Sequence, residues 1–438
     1  MEKNNTKTKF YLTLIIFSLI GQVAWVVENM YFNVFLYNMF SASAEEISLM
    51  VSLSAVSATL TTLLVGAFAD KVGKRKIFIC LGYILWGVSI LGFALIRKDI
   101  IGAAFPTAVS VSAICITLVI IMDCVMTFFG SSANDACFNA WLTDVTTSDN
   151  RGKAEGINAM MPLLAILVVF GGAMVLGFDD KDENGWTTMF VIIGAVVILI
   201  GIAGFFLIKD PKLETSQNEN YFKNIIYGFR PSVIKENLGL YAYLCAFAVF
   251  GISIQTFMPY LILYYQELLG DAYVFIMAPA IILAGIFTFF WGRVYDKWGF
   301  NKSIVPSIAL LVVGYIILML WTNTALVAIG SLLMMCGYLS GMAVFGAIIR
   351  DKTPENKSGM FQGLRIVGQV LIPGIIGPAI GAWVLKDAET REINGVETFI
   401  PNQSIFVAAL VVAVALIGLL ALLSVIKNKR KELSNEGK

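Results

Sequence analysis

Four charged residues lie inside long apolar stretches: Glu28, Asp123, Asp135 and Arg365. Each costs about 2.5–3.5 kcal/mol at the centre of a membrane helix, so together they oppose insertion by on the order of 10 kcal/mol before pairing or hydration. A chain bears that cost where the groups line a polar cavity or pair with one another. Arg365 is the natural partner in a structural ion pair, and Asp135 also suits a place near the cytoplasmic rim. Three acids against one arginine give a negative cavity, which favours a bound cation: sodium held by oxygens, or a proton on a carboxylate. Glu28, Asp123 and Asp135 are the candidate coupling residues.

The neighbours of these charges suggest what else binds. In "GQVAWVVENMYFNVFLYNMF", residues 21–40, Trp25, Glu28, Phe32 and Phe35 recur at helical spacing, and Asn29, Asn33 and Tyr37 form an adjacent stripe. Carboxylate, amides and rings side by side suit a hydroxyl-rich solute, with rings against its apolar face and amides on its hydroxyls. The asparagines would equally serve as helix–helix hydrogen bonds. In residues 120–144 Asp123 shares a face with Asn134, and Ser131, Asp135 and Asn139 share another. In "SIQTFMPYLILYYQE", residues 253–267, Pro259 can break a helix; Gln255, Tyr260 and Tyr264 flank it as site or packing residues. Gln362, Arg365 and Gln369 form one stripe in a segment bent by Pro373, Pro378 and several glycines.

Some chemistry is excluded. The chain has no histidine, so no HExxH zinc site, Ser-His-Asp triad or histidine relay can form. No Walker A motif is present. The six cysteines fall in or beside apolar stretches without a CxxC pair and read as core residues. No enzymatic activity, metal site or organic cofactor is expected, and energy must come from an ion gradient.

The elements that position these residues are membrane helices. The 438 residues are 58% hydrophobic and 14% charged, against about 25% charged in soluble domains. Twelve apolar spans lie near 10–38, 46–69, 76–97, 112–142, 154–178, 187–208, 239–266, 272–292, 303–322, 325–349, 359–385 and 404–426. Strand-like alternation is weak, so an all-α integral membrane protein is expected rather than a barrel. The first span is too long for a cleavable signal and no small-residue cleavage site follows it. The loops on the terminal side carry 25 Lys/Arg and 14 Asp/Glu, and the opposite loops 5 and 13. The positive-inside rule therefore places both termini in the cytoplasm of a cell-membrane protein. The net charge of +1 gives no reason to expect a nucleic-acid partner.

The two halves repeat. "GAFADKVGKRK" at 66–76 matches "GRVYDKWGFNK" at 292–302 in Gly66/Gly292, Asp70/Asp296, Lys71/Lys297, Gly73/Gly299 and Lys76/Lys302. Asp144, Gly152 and Gly156 are spaced as Asp351, Gly359 and Gly363 are. Two six-helix bundles, 1–208 and 239–438, are expected around a polar cytoplasmic linker at 209–238.

With G-x-x-x-D-[RK]-x-G-[RK]-[RK] matched at 66–76 and a weaker copy half a chain later, the chain resembles the major facilitator superfamily over nearly its whole length. The resemblance implies a monomeric secondary transporter in the lipid bilayer that moves a small solute by alternating access. It implies a conformational latch of Gly66, Asp70, Gly73, Arg75, Asp144, Arg151 and Asp296, with Arg75 pairing a carboxylate such as Asp144. Many members carry an arginine where this chain has Asp123. The chain is similar, more weakly, to the glycoside–pentoside–hexuronide cation symporters, although its second span has no acid between Glu46 and Asp70. A cation–sugar symporter is the leading expectation. A proton-coupled drug exporter, an uncoupled facilitator and a non-transporting sensor or scaffold are the alternatives.

Overall fold

The computed structural model describes residues 2–146, 151–210, 227–353, 364–393 and 395–436. Among them, ten helices are long and apolar enough to cross a bilayer. The first six expected spans appear as Thr8–Phe40, Ala44–Gly66, Arg75–Phe93, Val111–Val145, the shorter apolar helix Met160–Val175, and Glu183–Leu207. The seventh is Leu238–Leu269, and Val274–Leu320 contains the eighth and ninth. Thr324–Lys352, Leu364–Leu385 and Ser404–Val425 complete the set. Every expected span thus carries a helix, and the all-helical membrane class holds.

The repeated turn has a physical cause. Gly73 ends the second span at φ 68° with its N–H on Ala69 O, and Gly299 breaks the 47-residue helix at φ 73°. Both take a positive φ, which glycine adopts without steric cost. The sequence repeat thus places a glycine at positive φ between consecutive spans in each half, with ψ 17° at Gly73 and -179° at Gly299. At the opposite end of the second span, Ser43 and Glu46 form a reciprocal capping box, which accounts for the acid at that helix start.

Close helix approach rests on small residues. A Cβ on Gly87 would lie 2.6 Å from Gly194 O, and one on Gly314 would lie 2.5 Å from Met334 N. These positions bring the third span against the sixth and the ninth against the tenth.

The chain divides into two compact bodies. The first is Met1–Tyr221 together with Thr390–Phe399; the second is Phe222–Glu389 and Ile400–Lys438. The segment grouped with the first body is an antiparallel hairpin, Thr390–Ile393 paired with Val396–Phe399, in the connection between the last two spans. It is the one sheet among the described residues.

Candidate functional site

Three of the polar spans leave regular α geometry where their candidate residues sit. Val27–Tyr31, with Glu28 and Asn29, is a π turn; so are Ser131–Phe138, with Asn134 and Asp135, and Val367–Leu371, with Gln369. The seventh span tightens into a 3₁₀ turn at Met258–Tyr260, around Pro259. Such interruptions re-aim side chains and free backbone groups, and they concentrate at functional sites.

In the first body the π turn carries Glu28 into a cluster of oxygens. Glu28 Oε1 accepts from Ser54 Oγ at 2.9 Å and from Thr127 Oγ1 at 2.8 Å, and the two hydroxyls lie 2.8 Å apart. Ser54 is also within hydrogen-bonding reach of the Asp123 carboxyl. Glu28, Asp123 and Thr127 are buried at 7%, 1% and 1% exposure. Glu28 Oε2 and Asp123 Oδ1 are buried with no hydrogen-bond partner. Spans one, two and four thus each supply oxygens to one small volume. The three approaches among Glu28 Oε1, Ser54 Oγ and Thr127 Oγ1 are served by two hydroxyl protons. Asp135 lies apart, accepting from Ser131 Oγ at 3.0 Å.

An indole pair belongs to the same body. The Trp25 and Trp86 rings stand 5.1 Å apart, and both indole N–H groups are buried without an acceptor. Gly130 makes room: a Cβ there would meet Trp86 Cε2 at 2.7 Å. Asn33 is 3% exposed and its Oδ1 has no partner. Asn29 is exposed and donates to Trp25 O at 2.8 Å. Tyr37 donates to Phe399 O at 2.5 Å. Asn134 donates to Tyr83 Oη at 2.7 Å, and Tyr83 in turn to Phe17 O, a chain inside the helix packing.

In the second body Tyr260 donates to Pro378 O at 3.1 Å. Gln255 is half-buried against Gly377, where a Cβ would lie 2.5 Å from the Gln255 Cβ. Tyr264 is buried with its ring edge-on to Phe406 at 5.2 Å. Arg365 Nε donates to Gln369 Oε1 at 3.1 Å. No carboxylate pairs with Arg365 among the described residues, so its partner there is an amide instead of an acid. Gln362 lies outside the described residues.

The latch residues divide similarly. Arg75, at the start of the third span, donates Nε to Asp144 Oδ2 at 2.9 Å, with side chains 8% and 20% exposed. Asp210 accepts from Lys76 N at 2.7 Å, fastening the same helix start. Gly66 sits 3.7 Å from the Ala136 Cβ, counted from an added Cβ. The side chains of Asp70 and Arg151 lie outside the described set. Asp296 is exposed, and beside it Tyr295 donates to Asp351 Oδ2 at 2.5 Å. Asp351 is the counterpart of Asp144; a tyrosine takes the place of Arg75, whose own counterpart is Asn301.

A family model described as Major Facilitator Superfamily matches residues 12–343 and 275–438. The chain belongs to this superfamily. No curated protein sequence matches it. Among solved structures, a bacterial homologue of the human lysosomal transporter Spinster superposes with a TM-score of 0.69 at 15% identity, covering 95% of this chain and 97% of that one. The nucleoside transporter NupG gives 0.67 at 13% identity, with 93% and 98% covered. The xylose transporter XylE from E. coli gives 0.65 at 13% identity, with 92% and 97% covered. At these identities the likeness is one of fold. The superfamily's proteins are membrane transporters of small solutes, so this chain is a multi-pass membrane protein of that kind.

Three residues of the site escape a reading of types and spacing. Thr127 follows Asp123 by four and shares its face, a signal that could have found it. Ser54 is one of many hydroxyls in the second span, and Trp86 stands in an apolar run with no polar marker.

Proposed function

We propose that the protein is a cation-coupled symporter of a hydroxyl-rich neutral solute, a sugar or glycoside, working by alternating access. The observation that carries the reading is the oxygen cluster of Glu28, Ser54, Thr127 and Asp123, which has fewer protons than contacts. Hard oxygen donors with two carboxylates suit a sodium ion or a carboxyl-bound proton, and a site near the middle of broken helices suits transport coupling. Glu28 and Asp123 carry the coupling charge, and Asp135 adjusts the field around them. Solute recognition falls to Trp25, Trp86 and Asn33, whose indole N–H groups and amide oxygen lack partners. In the second body Gln255, Arg365 and Gln369 offer further donors and acceptors. Two of the fold relatives carry nucleoside and xylose in their names, both hydroxyl-rich solutes.

In this reading the protein is a monomer in the cell membrane with both termini cytoplasmic, requires no organic cofactor and binds no nucleic acid. The deciding experiment is uptake by proteoliposomes. Radiolabelled sugars and glycosides should accumulate under an inward proton or sodium gradient and fail to accumulate when it is collapsed. Gradient-driven extrusion of hydrophobic cations, with no sugar uptake, would replace the symporter with an exporter.

A further inference from the structure

The hairpin Thr390–Phe399 is anchored in the first body, while the residues on both sides of it belong to the second. Its anchorage is specific. Tyr37, near the end of the first span, donates to Phe399 O at 2.5 Å, and the two rings meet edge-on at 5.2 Å. One turn later, Ser41 Oγ donates to Ile393 O at 2.8 Å. Thr398 and Phe399 are buried at 2% and 8%, although most of the hairpin is exposed.

Ser41 itself is unusual. It has φ 60°, ψ 40°, and is the one non-glycine residue at positive φ among the described residues. Glycine would take this helix-terminal conformation freely, whereas serine is strained there. That turn closes the helix, with Ser41 N–H on Tyr37 O and Ala42 N–H on Leu36 O, and a serine there adds what glycine could not: the hydroxyl's bond to the hairpin. Both Tyr37 and Ser41 therefore hold main-chain carbonyls of a segment that the chain threads in from the other body and back again.

We propose that this hairpin is a strap: a conformational device whose grip on the end of the first span must be released for the transporter to open on the non-cytoplasmic side. The chain enters the strap from Glu389 and leaves it at Ile400, both residues of the second body, so the strap is tied covalently to one body and by hydrogen bonds to the other. In alternating access the bodies move against each other about a central site. A docked strap then opposes separation at its own end, so the bonds from Tyr37 and Ser41 set the balance between the two open states. This inference rests on family membership and not on the identity of the solute or the coupling ion.

The test is hydrogen–deuterium exchange on the full-length protein without any solute, comparing wild type with Tyr37→Phe/Ser41→Gly. The phenylalanine keeps the ring and loses only the hydroxyl, and the glycine relieves the backbone strain, so the variant is designed to fold. Two windows are read: the hairpin amides at 396–399 and the cytoplasmic turn at 71–76. The expected result is exchange at least tenfold faster in the hairpin, with exchange at 71–76 slowed severalfold, because a released strap favours the state closed on the cytoplasmic side. A hairpin that loosens while the turn is unchanged would make the segment plain packing and overturn the strap. Unchanged hairpin exchange would overturn the docking itself. The single variant Ser41→Gly should show the same signs at smaller size; opposite signs would also defeat the proposal.

Discussion

Thr127 Oγ1 meets Glu28 Oε1 at 2.8 Å, joining the first span to the fourth four residues beyond Asp123. Through that contact two buried acids on different helices share one set of hydroxyls, with Ser54 between them. Buried acceptors this close need protons or a cation among them, and the two hydroxyls cannot supply enough. This set of atoms is the proposed coupling site.

Thr127→Val keeps the shape of the side chain and removes its hydroxyl. A hydrogen bond to a charged group is worth about 1.5–3 kcal/mol. The half-saturating concentration of the driving cation should therefore rise roughly ten- to hundredfold. Glu28→Gln and Asp123→Asn should go further and abolish accumulation while leaving exchange of solute across the membrane measurable. Concentrative uptake by both of these mutants would remove the coupling site from Glu28 and Asp123.

The Arg75–Asp144 pair is half-sheltered, and its loss leaves a nearly buried guanidinium or a carboxylate without its counterpart. Arg75→Ala should lower stability by about 1.5–3 kcal/mol, read as a fall in melting temperature in detergent, and should slow turnover. Arg75→Lys should recover only part of the stability, since a point charge does not reproduce the geometry of the fork. Equal melting temperatures for wild type and the alanine variant would show that the pair carries no stabilisation.

Packing gives a sharp contrast between two helical glycines. A Cβ at Gly314 would stand 2.5 Å from Met334 N, whereas nothing lies within 4 Å of one at Gly418. Gly314→Ala forces two helix backbones apart and should cost about 1–3 kcal/mol. Gly418→Ala should be neutral or stabilising by up to about 1 kcal/mol through helix propensity. Thermal unfolding of the two variants side by side checks the pair, and a reversed order would contradict the close approach of the ninth and tenth spans.

Much of this architecture is legible in the sequence for simple reasons. Apolar runs of membrane length fix the spans, and the glycines of the repeated turn mark two of the places where the backbone takes positive φ. The charges inside spans point to the candidate site because they are costly where unpaired in a membrane. What is not legible follows from departures from ideal geometry. The π turn at Val27–Tyr31 shifts the helix phase by one residue, so Asn29, Asn33 and Tyr37, one stripe on an ideal helix, meet three different surroundings. Trp86 joins the candidate site because Gly130 leaves room for its ring beside Trp25. The hairpin between the last two spans is short and mostly exposed, and nothing in its composition announces that Tyr37 would hold its end.

The solute prediction separates residues that look equivalent in the sequence. Asn29 already donates to Trp25 O, so its amide is partly committed. Asn33 Oδ1 and the indole N–H groups of Trp25 and Trp86 are buried and uncommitted, and such groups are costly until something pairs with them. A hydroxyl-rich solute supplies both donors and acceptors to satisfy them; a hydrophobic cation supplies at most donors and leaves both indole N–H groups unpaired. Thermal protection by the best sugar or glycoside should therefore weaken about three- to tenfold in Asn33→Ala, the effect of losing one hydrogen bond of about 0.5–1.5 kcal/mol. Trp86→Phe should weaken it comparably, while Asn29→Ala should matter less. The measurement is the sugar concentration giving half-maximal rise in melting temperature for each variant. A larger loss in Asn29→Ala than in Asn33→Ala would place the solute on the other face of the span, and protection by hydrophobic cations alone would exclude a sugar site.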